Sequence, residues 1–368
     1  MRSVFASSIL AAAGVLASSP LFGQAPNGGN GTIYWANYGK SILVIAEATM
    51  EVTDEIALES GIPRDLYLSH DRQRFYVRDA TGERIEIVDI AARQSLGWFT
   101  LSSGTTMVRI SNFVPSPDDS YAIVFARATT RLPDRYEIGD PFIVKYDLEA
   151  RAIIDTISIA GEADRTAGNI IFSQSGESAY FLSDGNVLVL ETEGFTEVDR
   201  WEGMEPEPGF GRVGLNLPQS PYQTPGFYTS LFRITDPLND REMMGFVTVD
   251  LEGRTLEYNL LGPSEQVNFQ LAPGGRRGYG LSSAIGRYEF WTFDLETPRV
   301  ERRATVTGRP RMNPLVVSSN GQYLYIHTAG NTIDIYDAGT YEHVYQVVLE
   351  GDTTEFILIP AETPQSDR

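Results

Sequence analysis

The chain has 368 residues, 29 Lys and Arg against 49 Asp and Glu, a formal net charge of -20, and no cysteine. So acidic a chain argues against nucleic acid and anionic membranes as partners, because both select basic surfaces. The missing thiols exclude disulfides, thiolate metal sites, covalent c-type haem attachment and a cysteine nucleophile, so the fold must be held by its own core or by closure of a sheet.

The first stretch, MRSVFASSILAAAGVLASSPLFGQAPNGG, has the layout of a secretory signal. Arg2 gives a short basic region, and Val4 to Ala17 is apolar but too short to span a bilayer. Residues 1–24 are therefore expected to be a signal peptide, cleaved within 19–25. The mature protein is expected to be soluble and periplasmic or secreted. No later run reaches the ~18–20 apolar residues of a membrane helix, so no integral membrane segment is expected.

From Thr32 one pattern recurs seven times: an aromatic strand, a loop, then an apolar strand ending near an acid. In chain order the pairs are TIYWAN and ILVIAE, RFYVRD and IEIVDI, YAIVFA and FIVKYDL, AYFLSD and VLVLETE, FYTSLF and GFVTVDL, GYGLSS and EFWTFDL, and YLYIHT and IDIYDA. They are short, alternating and rich in β-branched and aromatic residues, as half-buried antiparallel strands are. No long stretch has helical periodicity. The strand-ending acids are Asp89, Asp147, Glu191, Asp250, Asp294 and Asp337, with Ala46 in the first unit and Glu47 beside it. Each is followed by turn residues, so each is expected to bond backbone amides of its own turn rather than form a catalytic or calcium row. Successive positions lie 43, 58, 44, 59, 44 and 43 residues apart. A unit of about 43–44 residues with four strands fits a propeller blade.

A further strand precedes each polar turn: RDLYLS, RISNFVPS, GNIIFS, RVGLNLP, QVNFQLA, RMNPLVVS and TEFILIP. The first aromatic strand has no such partner before it, and TEFILIP has no aromatic strand after it. Joining them completes one blade from both chain ends. The expected fold is an all-β, seven-bladed β-propeller of four-stranded antiparallel blades over residues 31–361, closed by pairing the C-terminal strand with the N-terminal blade. Residues 362–368 are expected to form a disordered tail.

The segments LYLSHDRQRFYVRDATGERIEIVDIAARQSLGWFTL and VVSSNGQYLYIHTAGNTIDIYDAGTYEHVYQVVL resemble YVTN-type propeller repeats, with the turn appearing as SHDRQ, SPDDS, SQSGE and SSNGQ. The chain is thereby similar to the quinoprotein amine dehydrogenase β-chain-like superfamily, which also holds lactonase-like propellers. The resemblance implies seven blades and export. It implies no reaction, because propellers host binding, scaffolding and hydrolysis alike. As a subunit of a periplasmic quinoprotein or haem dehydrogenase, this chain would serve as the propeller partner of a redox enzyme.

Two insertions, Arg127 to Pro141 and the pair Glu202–Gly211 with Arg233–Met244, are expected as long loops on the face where the inner strands begin. The inner strands start with polar residues. Aligned on the turn, one column holds Asp65, Asn112, Asn169, Gly214, Asn268, Pro314 and Phe356, and the preceding column holds Arg64, Ser111, Asn313 and Glu355. With Arg109, Arg212 and Arg311 nearby, they make a polar channel mouth suited to an anionic or polyhydroxylated ligand or a peptide carboxylate. Asp65, Asn169, Asn268 and Glu355 would also serve as oxygen ligands for calcium, the cofactor of a lactonase-like hydrolase; no catalytic residue and no cofactor are otherwise expected. His70, His327 and His343 fall in different parts of the repeat, so a histidine triad or zinc site is not expected. Tyr34, Tyr76, Tyr180 and Tyr325 are expected in the core between blades. The reading is an exported, non-catalytic binding or scaffold module for a protein or a small polar ligand. The alternatives are the hydrolase and the redox subunit.

Overall fold

The computed structural model describes residues 24–158, 169–183, 186–201, 209–211, 213, 220–284, 287–307, 315–327 and 330–361. The expected signal segment up to residue 23 and the tail 362–368 lie outside them. The described residues form strands and turns, and no helix. Blade one contains β1 (Thr32–Asn37), β2 (Ser41–Ala46) and β3 (Glu51–Ala57), and blade two β4 (Pro63–Leu68), β5 (Arg74–Asp79), β6 (Arg84–Asp89) and β7 (Gln94–Thr100). Blade three holds β8 (Thr106–Pro115), β9 (Tyr121–Arg131), β10 (Tyr136–Asp147) and β11 (Ala152–Ile157). Blade four holds β12 (Asn169–Phe172), β13 (Ser178–Ser183), β14 (Asn186–Glu191) and β15 (Glu197–Trp201), and blade five β16 (Phe227–Asp236), β17 (Arg241–Asp250) and β18 (Thr255–Pro263). Blade six holds β19 (Gln270–Leu271), β20 (Arg277–Ala284), β21 (Arg287–Asp294) and β22 (Arg299–Thr307). Blade seven holds β23 (Leu315–Val317), β24 (Tyr323–His327), β25 (Thr332–Asp337) and β26 (His343–Val348), and β27 (Thr353–Ile359) ends the chain.

All neighbours are antiparallel, and the fold is a seven-bladed β-propeller. Six sheets have four strands and blade five has three described strands. The closure is the expected one: β27 pairs with β1, from Thr32↔Ile359 to Asn37↔Thr353, and becomes the inner strand of blade one.

The core is divided by interface rather than by blade. Seven buried clusters each join two neighbouring sheets, and together they run once around the ring. Alternation along each strand produces this. Phe75 and Val77 of β5 meet Tyr34 and Ala36 of blade one, while Tyr76 between them meets Phe113 of blade three. Tyr34, Tyr76, Tyr180 and Tyr325 all lie in these clusters, as expected. Between blades seven and one, buried Glu47 acts as a clamp. It accepts hydrogen bonds from Gly31 N (2.9 Å), Ser319 N (2.8 Å), Ser319 Oγ and Tyr325 OH (3.0 Å).

The strand-ending acids cap turns. Asp89 Oδ1 accepts from Ala92 N, Asp147 Oδ1 from Glu149 N and Ala150 N, and Asp250 Oδ1 from Glu252 N and Gly253 N. Glu191, Asp294 and Asp337 do the same. Four residues on, Arg93, Arg151, Phe195, Arg254 and Tyr341 all have φ between 52° and 66°. The acid's bonds hold this left-handed residue, which sterics otherwise disfavour. The turn before each aromatic strand uses serine: Ser69 Oγ accepts from Arg74 N (2.9 Å) and Ser116 Oγ from Tyr121 N (3.1 Å).

The insertions need a correction. Arg127 to Pro141 is not a loop: β9 and β10 continue as a hairpin to Arg131↔Tyr136, and β8 extends alongside to Thr106↔Thr130. Arg233–Met244 likewise lies in the β16–β17 hairpin, which closes at Asp236↔Arg241. Thr129, Thr130, Tyr136 and Ile138 favour extended backbone, which turns an insertion into strand. Of Glu202–Gly211, residues 202–208 lie outside the described residues.

Candidate functional site

The channel mouth is built where inner strands begin, because Pro63 pairs with Asp79 and Thr106 with Thr130, at the ends that carry the hairpins. Early in β4, β8 and β27 the pairing slips by one residue, at Arg64, Ser111 and Thr354. Such bulges twist the strand and re-aim its side chains. The residues after them, Asp65, Asn112 and Glu355, occupy one level and pair with Arg78, Phe125 and Ala36.

This register corrects the alignment. Phe356 pairs with Trp35 and lies in the core between blades seven and one, so Glu355, not Phe356, shares the column with Asp65 and Asn112. Counting back from the turn misplaced it, because β27 ends in Ile359 where the other blades place a serine or alanine.

Asp65 accepts from Arg78 Nε (2.8 Å) and Nη2 (2.6 Å), and Arg78 Nη1 donates to Ile110 O (2.6 Å) of blade three. Arg78 thus neutralises Asp65 and ties two inner strands together. Sequence reasoning missed Arg78, although its place could have been counted: it lies three residues beyond the first paired residue of the aromatic strand, Phe75. Arg64 is mostly exposed, with its Nε 4.0 Å from Asp65. Arg109 is exposed on β8 opposite Arg127. Asn112 Oδ1 accepts from its neighbour Phe113 N (2.9 Å). Asn268 Oδ1 accepts from Leu281 N (2.9 Å), replacing a strand–strand bond. Asn169 begins β12 opposite Leu182. Arg212, Arg311 and Asn313 lie outside the described residues.

Glu355 keeps partial contact with the channel, and Phe356 N donates to its Oε1 (3.0 Å). Burial pushes its carboxyl up to about 7, the Phe356 N–H opposes this, and the Asp65 charge adds to it. Tyr67 beside it is pushed up to about 12, chiefly by burial. His327, at the end of β24, is 6% exposed and has no partner at either ring nitrogen. Burial lowers its pKa to about 4, so it is neutral at pH 7. The histidines do not converge: His70 is in a turn, and His343 pairs with Asp334 (3.0 Å) on the outer strand. Among the described residues no three His, Asp or Glu side chains are grouped as metal ligands.

No family model and no curated protein matches the chain. Solved structures do. A dihydro-heme d1 dehydrogenase, NirN, in complex with DHE aligns at TM-score 0.53 and 12% identity over 94% of this chain and 78% of that one. Hydrazine synthase of Kuenenia stuttgartiensis aligns at 0.52 and 14% over 92% and 100%, and apo AztD from Citrobacter koseri at 0.52 and 10% over 89% and 97%. At such identities the likeness is one of fold.

Proposed function

We propose that this propeller is an exported, non-catalytic binding module that takes a small polar ligand at the channel mouth, between the long hairpins of blades three and five. The observation that carries the reading is the uneven polar ring. The Asp65–Arg78–Ile110 bridge and the shifted Glu355 carboxyl stand at one level of a narrow opening. Perturbed, converging polar groups in a concavity are the ordinary mark of a ligand site. The calcium-assisted hydrolase is the weaker reading, because Asp65 is engaged by Arg78 and Asn268 Oδ1 by Leu281 N. A role as propeller subunit of a periplasmic redox enzyme is a further reading, motivated by neighbours whose titles name a dehydrogenase and a hydrazine synthase.

The test is a thermal-shift panel of sugars, carboxylates, amines, lactones and calcium chloride. A bound ligand at a hundred times its Kd adds ~2.7 kcal/mol, and the shift should vanish in Asp65→Asn. Lactone turnover that requires calcium would favour the hydrolase. Co-purification with a haem or quinone protein, with no response to any small molecule, would favour the redox subunit.

A further inference from the structure

The channel level that holds Glu355 is polar on one side only. The second-strand residues facing the inner column are Ala36, Arg78, Phe125, Leu182 and Leu281. In blade seven the same place belongs to His327, three residues beyond Leu324 as Arg78 is beyond Phe75. Arg78 and His327 therefore flank blade one, whose inner strand supplies Glu355. Blades seven, one and two form a polar sector.

The hydrogen-bonding capacity of this sector is only partly used. The His327 ring stacks on Phe356, the chain neighbour of Glu355, at 5.3 Å and 9°, and meets Trp35 edge-on at 6.0 Å. Neither nitrogen of His327 has a partner, and neither has Trp35 Nε1. A buried polar atom without a partner costs ~1–3 kcal/mol, and such atoms call for a water, an ion or a functional role. Glu355 uses only Oε1. Arg78 is already engaged by Asp65 and Ile110 O. What remains is mainly acceptor capacity with one spare donor, Trp35.

We propose that this sector binds a small organic ammonium that also carries a hydroxyl, with Glu355 as its counter-charge, His327 as a hydrogen-bond acceptor and Trp35 Nε1 as the donor to the hydroxyl. The inference rests on the channel-mouth reading and gives it a ligand class. An anion is disfavoured because the buried cation of the sector is already paired. The charged groups around Glu355 are Asp65, Arg64, Arg78 and Tyr67 of blade two, and its cross-strand partner Ala36 brings none. Because the Glu355 carboxyl is raised to about 7, a bound ammonium favours its ionised form and expels a proton at neutral pH.

The probe is ethanolamine, with glycolate and ethylene glycol as size-matched controls, titrated calorimetrically at pH 7 in two buffers of different ionisation enthalpy. Ethanolamine should bind with release of a fraction of one proton. Glu355→Gln should weaken it by about tenfold, as loss of a charge-assisted bond does, and abolish the release. His327→Phe should weaken binding while keeping the release. If ethanolamine fails while glycolate or glycol binds, the ammonium inference is overturned and the channel reading survives. Binding without proton release, or unchanged in Glu355→Gln, also overturns it. If none of the three binds, the inference falls, and the broader reading is decided by the thermal-shift panel. Should a variant fail to fold, proton release by the unaltered protein decides.

Discussion

Glu47→Ala should open the joint between blades seven and one. Four donors lose their acceptor: Gly31 N, Ser319 N, Ser319 Oγ and Tyr325 OH. A hydrogen bond to a charged group contributes ~1.5–3 kcal/mol. Ser319 is part-buried and regains water, whereas Tyr325 is 1% exposed and does not. The summed loss is therefore about 4 kcal/mol rather than the full total of four such bonds. At roughly 2 °C per kcal/mol for a long domain, melting should fall by about 8 °C. Urea denaturation followed by tryptophan fluorescence measures it, because Trp35 lies at the same interface. Glu342→Ala, at an exposed acid, serves as control and should stay within about 0.5 kcal/mol. A loss below about 1 kcal/mol for Glu47→Ala would refute the clamp and move the closure energy to the β1–β27 pairing alone.

His327 and Glu355 should give pH slopes of opposite sign. The lowered pKa of His327 gives stability that is complete above pH 6.5 and is lost as pH falls toward 4, about 2 kcal/mol by pH 5. The raised pKa of Glu355 gives stability that is complete below pH 4.5 and is lost as pH rises through 7, also about 2 kcal/mol after allowance for its channel contact. Urea midpoints at pH 5, 6 and 7 should thus be nearly flat for the natural chain, fall with pH in His327→Phe and rise with pH in Glu355→Gln; parallel slopes would contradict both assignments. Gly278→Val, which restores a β-branched residue to β20, should destabilise by about 2 kcal/mol or more, since a Cβ there runs into the Phe269 ring. A neutral result in chemical denaturation would mean that Phe269 is free to move aside. Asp250→Ala should cost about 1 kcal/mol through loss of its two turn bonds, and an unchanged midpoint would show the turn to be self-supporting.

The ring was legible because it is repeated. Seven copies of one alternating pattern fix blade number, pairing and closure without any long-range information. Deviations within a copy were harder to read. GYGLSS looked like a weakened strand, yet Gly278 and Gly280 are small because Phe269, Val267 and the backbone of Asn268 occupy the space of their side chains. That pressure comes from a neighbouring strand and leaves no local mark. The site was legible as a polar zone but not as an arrangement. Single-residue bulges at Arg64, Ser111 and Thr354 shift the column, and nothing in composition announces a bulge. Arg78 and His327 read as ordinary strand ends until cross-strand pairing sets them level with Asp65 and Glu355. The turn-capping acids were read correctly because their partners lie within a few residues.

The pairing of Thr32 with Ile359 sets both ends of the ordered ring side by side, at the level of the serine turns, and Asn320 N donates to Gly28 O there. The channel mouth with Glu355 opens on the other face. A fusion partner, an immobilising tag or a lipid attached at either end would therefore hold the molecule by its back, with the mouth turned outward. Surface-capture binding measurements through either terminus should leave the channel mouth unobstructed.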